Sequence, residues 1–214
     1  MTGSDRVSRL SRPWSLCALA LVVGLAGGAL TSFGQSVLTG GWHALVNSAA
    51  PWVMVAFLVG SCARGRWRGA VVAGLLSQAG LVAGYYVTSE LRGYAAGTTS
   101  VLIWIAAGTI AGPVYAAAGS LLADGRRRIR ATAAGVTGSV WIMEGLNFLS
   151  LASDANSNSG PGRTAAWCYL LIGVLLPVAL ARSARDRAYA LPALLCGAAA
   201  ATAAAVLINR AFLL

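Results

Sequence analysis

The sequence predicts an all-α membrane protein: a polytopic bundle of seven transmembrane helices with a cytoplasmic N-terminus. Three observations lead there. Of 214 residues, 57% are hydrophobic and only 10% are charged, against about 25% charged in an ordinary soluble domain. The apolar residues gather in runs near the length, about 20 residues, that a helix needs to cross about 30 Å of hydrocarbon. The basic residues sit between those runs in short clusters. A soluble globule of this size must cover itself with polar groups. Soluble enzymes, nucleic-acid-binding modules and disordered tails are therefore excluded, despite a formal net charge of +10.

Seven runs form a single integral-membrane domain over residues 1–214, at about 14–34, 48–63, 69–89, 101–123, 131–152, 164–181 and 190–209. The first follows Arg6, Arg9 and Arg12. It exceeds the 7–15 apolar residues, roughly, of a signal-peptide core, so it reads as a retained helix. The second is the shortest. The first, third and fourth carry Gly24/Gly28, Gly80/Gly84 and Gly108/Gly112, a small-residue spacing that lets helix backbones approach closely. Pro113 and Pro177 lie inside the fourth and sixth and are expected to kink them. The fifth carries Glu144. The seventh is alanine-rich and weakly hydrophobic, so it is expected to pack against protein on much of its surface. No internal repeat marks duplicated halves.

All sixteen basic residues are arginine. Arg64, Arg66 and Arg68 fall between the second and third spans. Arg126, Arg127, Arg128 and Arg130 fall between the fourth and fifth, and Arg182, Arg185 and Arg187 between the sixth and seventh. With the three N-terminal arginines, a seven-span count puts thirteen on one face and leaves Arg92, Arg163 and Arg210 on the other. The positive-inside rule makes the rich face cytoplasmic.

Metal and cofactor chemistry finds no ligands. Cys17, Cys62, Cys168 and Cys196 fall in different spans, form no paired motif, and read as buried small hydrophobes. With a single histidine, His43, no zinc, haem or iron–sulfur ligand set is recognisable. There is no phosphate-cradling glycine loop and no aspartate-rich cluster for magnesium diphosphate. No cofactor and no metal are expected.

The acids are few. Asp5, Asp124 and Asp186 read as solvated charges among loop arginines, and Asp154 opens a turn-rich outer loop. Glu144 is different, because a carboxylate inside a span costs about 2.5–3.5 kcal/mol and usually faces a cavity or a partner. An acid kept neutral by its surroundings can hand over a proton. On its helix face stand Trp141, Asn147 and Phe148. The bland reading is a structural hydrogen bond to a neighbouring helix, with Gln78 or Asn147 as partner. Glu90 closes the third span, one turn after Tyr86, and either pairs with Arg92 or shares a cavity with Glu144.

The aromatics favour the outer half or its loops, where Trp42, Trp52, Tyr85, Tyr86, Tyr94, Trp104, Trp141, Phe148, Trp167 and Tyr169 all fall. A plain interfacial belt would populate both sides. The excess predicts an apolar pocket in the outer half between the third, fourth and fifth spans, whose ring faces would suit a cation. Gln35, His43 and Asn47 read as loop or capping groups at its rim.

The strings Thr31-Ser32-Phe33-Gly34-Gln35, Asn47-Ser48-Ala49-Ala50-Pro51-Trp52, Gly84-Tyr85-Tyr86, Gly112-Pro113-Val114 and Glu144-Gly145 resemble a family of small actinobacterial multi-pass membrane proteins. The chain also resembles the bacterial integral-membrane terpene cyclases of drimentine and indole-terpenoid pathways. That resemblance implies a metal-independent cyclase that protonates a prenyl chain on a small-molecule acceptor and closes rings through carbocations. It also implies Glu144 as proton donor, Glu90 as second acid and Asn147 as the group orienting the donor. Tyr86, Trp141 and Phe148 would stabilise cations, and Trp52 and Trp104 would line the substrate pocket. The partners would be the lipid bilayer and a hydrophobic prenylated molecule. The alternative is a non-enzymatic membrane protein, a transporter or an accessory that binds a lipid or a partner.

Overall fold

The structure, a computed structural model, describes residues 13–46, 48–95, 97–153 and 160–212. Arg6, Arg9, Arg12, Asp5, Asn47 and Asp154 lie outside the described residues. The described chain is all-α: α1 Pro13–Val37, a 3₁₀ segment Gly40–Val46, α2 Ala49–Ser61, α3 Trp67–Leu91, α4 Thr98–Leu121, α5 Arg127–Ser153, α6 Gly162–Leu180 and α7 Ala184–Phe212. Each expected span corresponds to a helix, but they are not equivalent. α1, α3, α4, α6 and α7 are long and apolar enough to cross a bilayer.

The second expected span needs one correction. Its residues do form one helix, α2, but a short one, and only together with the preceding 3₁₀ segment, from which it is bent by 43°, does it pass as a span by length and composition. The 13 residues of α2 are about 20 Å long, short of the roughly 30 Å hydrocarbon core. Gly40 opens the 3₁₀ segment at a positive φ of 58°, which glycine adopts without cost. Pro51 occupies the first turn of α2, where its missing N–H is harmless. α5 is long, but Arg127, Arg128, Arg130 and Glu144 make it more polar than those five candidate spans.

The chain forms two compact units. One comprises residues up to Leu30 together with Trp52–Arg130; the other comprises Thr31–Pro51 and Ala131–Leu214. In the first, glycines bring α3 against two neighbours. A Cβ added to Gly24 or Gly28 would fall on the Ser77 or Leu81 carbonyl oxygen, and one on Gly84 would fall on that of Leu25. On another face, Gly74 meets Gly112 backbone to backbone. The glycine pairs read from the sequence are thus helix contacts that no larger residue fits. In the second unit, Gly138 meets Gly173 and Gly135 meets Ala190, joining α5 to α6 and α7.

Two further expectations change. α7 is the least buried of the spanning helices, 11% of its span. It offers one stripe, Ala190, Leu194 and Ala198, to its unit, because small side chains leave little to bury elsewhere. Asp186 is not solvated but 2% exposed, in the first turn of α7, where its N–H donates to the Ser183 hydroxyl at 3.2 Å. That is the geometry of a helix N-cap. None of the four cysteines is fully buried: Cys17 and Cys62 are half-buried, and Cys168 and Cys196 are exposed on their helices.

Gly112→Leu is expected to lower stability in detergent by about 1–3 kcal/mol through overpacking at Gly74 and Gln78. Gly69→Ala, where nothing lies within 4 Å, is expected to be neutral or mildly stabilising. Thermal unfolding followed by size-exclusion chromatography checks both, and equal effects would contradict the glycine contact.

Candidate functional site

Glu144 is 8% exposed and shares the buried face of α5 with Trp141, Gly145 and Phe148. Its two oxygens are taken by the start of α2. The Ala49 N–H donates to Oε1 at 2.7 Å, and the Ala50 N–H donates to Oε2 at 2.9 Å. The first four N–H groups of any helix lack intrahelical partners. Here two go to Glu144 and a third is absent, because the residue is Pro51. A carboxylate also suits the positive end of the helix dipole.

Around this junction stands a second layer. The Ser48 hydroxyl and the Tyr169 hydroxyl are 2.9 Å apart in a hydrogen bond. The Tyr169 ring packs against Trp141 and Phe148, with centroids 4.8 and 5.1 Å away. The Trp141 indole N–H is buried with no hydrogen-bond partner among the described residues. The structural bond anticipated for Glu144 is therefore present, but its partner is a helix start. Gln78 instead donates its side-chain amide to the Trp52 carbonyl at 2.9 Å.

Asn147 supplies neither of the two hydrogen bonds at the Glu144 oxygens. It is exposed, and its carbonyl accepts the Ser150 hydroxyl at 2.9 Å. Sequence reasoning counted Tyr169 among the outer aromatics but gave it no role, and it missed Ser48 as its partner. Ser48 was findable: a serine just before an apolar run is an N-cap candidate.

The first unit carries the cavity. A cleft of about 370 Å³ is lined by Leu75, Gln78, Ala79, Val82, Ala83, Tyr86 and Val87 of α3, with Val101, Ile105, Gly108 and Thr109 of α4. The α3 residues recur at three and four, one helical face. Beside it runs a chain of rings: Trp104 to Trp52 at 5.8 Å, Trp52 to Tyr85 at 5.9 Å, and Tyr85 to Tyr86 at 4.9 Å. An outer pocket was expected between three spans; the lining comes from α3 and α4. Of the expected site residues, Tyr86 lines the cleft and Trp52 and Trp104 join its ring cluster. Glu90 is exposed at the end of α3 and does not line the cleft. The neighbouring Arg92 guanidinium stacks over Tyr94 at 5.2 Å. No group of three metal-ligating side chains occurs among the described residues.

The sequence profile of a family of unknown function, DUF6518, matches residues 7–211. The chain belongs to the DUF6518 family. No curated protein and no solved structure matches it. DUF6518 membership brings no activity with it, so the reading of this member rests on its own geometry.

Glu144→Ala leaves two N–H groups without acceptors, at about 1–3 kcal/mol each, and is expected to lower the unfolding midpoint by roughly 5–10 °C. Glu144→Gln keeps one acceptor and should lose about half as much. Faster amide exchange at Ala49 and Ala50 in both variants is the accompanying signature. Unchanged stability and exchange in Glu144→Ala would show that the clamp carries no weight.

Proposed function

We propose that this DUF6518 member binds one prenyl or acyl chain, drawn sideways from the bilayer, in the cleft between α3 and α4. The cleft is the observation that carries the reading. From Leu75 to Val87 it runs about 18 Å along α3, so its 370 Å³ corresponds to a mean cross-section of about 20 Å², that of a single extended hydrocarbon chain. Its polar side chains are largely turned away. Gln78 donates to the Trp52 carbonyl, and the Thr109 hydroxyl donates to the Ala106 carbonyl at 2.7 Å. Tyr86 remains at the Val87 end, the place for a ligand's polar group. Apolar pockets with a few placed polar groups are the usual form of a small-molecule site.

Ala83→Phe fills the cleft and is expected to weaken binding at least about tenfold. Photo-crosslinking with a diazirine-bearing farnesyl lipid, read by mass spectrometry, measures it. The label should fall on α3 and α4, and labelling elsewhere that survives Ala83→Phe would defeat the proposal.

A second reading goes further: proton-initiated cyclisation of the bound chain, metal-independent and in the manner of the terpene cyclases the sequence resembles. The run of rings from Trp104 to Tyr86 favours it, since aromatic faces stabilise cations. Its acids would be Glu144 and Glu90. Against it stands the occupation of both Glu144 oxygens by the start of α2, which leaves neither directed at a ligand. Membranes supplied with a farnesylated indole or diketopiperazine decide the matter. A product of unchanged mass and altered retention, lost in a Glu144→Gln variant that stays folded, supports cyclisation; recovery of unaltered substrate leaves chain binding as the function.

A further inference from the structure

We infer that the arginine-rich end of the first unit is a binding surface for the phosphate headgroup of an anionic glycerophospholipid. Three observations go beyond what an orientation signal requires. First, the two arginine-bearing loops are joined. The Gly65 N–H donates to the Ser120 carbonyl at 2.8 Å, which sets Arg64, Arg66 and Arg68 beside the chain that carries Arg126, Arg127, Arg128 and Arg130. Insertion reads only the number of charges on a face; it does not need the loops tied into one surface.

Second, seven arginines meet a single carboxylate, Asp124. That carboxylate is committed to Arg126, whose guanidinium donates to it at 3.1 and 3.2 Å. Arg126 holds the Asp124 carboxyl below the usual carboxylate range, so Asp124 stays ionised at neutral pH. Arg130 also acts on Asp124, so by charge count among the described residues of these two loops seven arginines stand against one carboxylate. Third, the rim is built for an interface. Trp67 is exposed with the Arg68 guanidinium 5.5 Å over its ring, an aromatic of the kind that settles at headgroup level. Arg64 is exposed and holds a positive φ of 42°, unusual for a residue with a side chain. It precedes Gly65, at a φ of 81°, in the turn that makes the Ser120 contact.

Guanidinium groups bind phosphate oxygens in pairs, and basic surfaces beside membrane helices favour anionic lipids by a factor of about five for each arginine near the headgroups. A free phosphate shares this chemistry, but only a lipid also places its chains beside Trp67.

The test uses the full chain purified in detergent. Unfolding is followed with added phosphatidylglycerol, cardiolipin, phosphatidylcholine or inorganic phosphate, and retained lipid is counted by native mass spectrometry. The expected result is stabilisation and retention with the two anionic lipids alone. It should fall more than tenfold in Arg64→Gln/Arg68→Gln/Arg128→Gln and decline as salt screens the charges. Equal retention of phosphatidylcholine would overturn the proposal. So would equal stabilisation by inorganic phosphate, which would mark a soluble-anion site. If the triple variant does not fold, the salt series on the unaltered protein decides: preference that persists at high salt overturns the electrostatic site.

Discussion

The pair of hydrogen bonds from Ala49 and Ala50 to Glu144 is the constraint around which the second unit is arranged. A helix start buried from water leaves N–H groups that cost about 1–3 kcal/mol each if unmet. A buried carboxylate carries its own penalty. Placed together, the two liabilities offset each other. The consequence extends along α5: with Glu144 committed to α2, Trp141 and Phe148 on the same face close over Tyr169, and the Tyr169 hydroxyl reaches back to Ser48. One carboxyl group thereby specifies where an interrupted segment restarts and which rings pack beside it.

Much of the architecture was legible in the sequence, for physical reasons that also explain where legibility ended. Apolar runs near twenty residues need a bilayer, so α1, α3, α4, α6 and α7 emerged close to their observed limits. Glycines four apart in the first, third and fourth spans pointed to close helix contacts, because nothing larger fits there. The second span was placed correctly as a helix, at 48–63 against Ala49–Ser61, but hydropathy did not reveal that this helix falls short of a full crossing by itself. Asp186 misled, since loop composition implied water while the start of α7 buries it.

The site was legible in part. Glu144 stood out because an acid is costly among hydrocarbon, and that cost is real whether a ligand or a helix start meets it. Which one does so depends on a partner 95 residues distant in the chain, and spacing alone does not reach that far. Asn147 shared a helical face with Glu144 on paper; at three residues' separation it rotates just far enough to be exposed. Tyr86, Trp52 and Trp104 were singled out from an uneven distribution of rings; Tyr86 borders the cleft and the other two stand in the adjoining cluster, whereas Trp141 and Phe148 pack on Tyr169 in the second unit. Chain binding asks only for shape and greasiness in the cleft, whereas ring closure asks in addition for a free acid within reach.

The glycine contacts on α3 carry one more implication. Gly80 and Gly84 commit one side of this helix to α1, and Gly74 commits another to α4; neither side accepts even a methyl group without displacing a neighbouring backbone. The strip bordering the cleft, at Leu75, Ala79, Val82 and Ala83, carries no such glycine contact. Under the chain-binding proposal, exchanging aliphatic side chains there would alter what the cleft accepts while the glycine contacts stay in place.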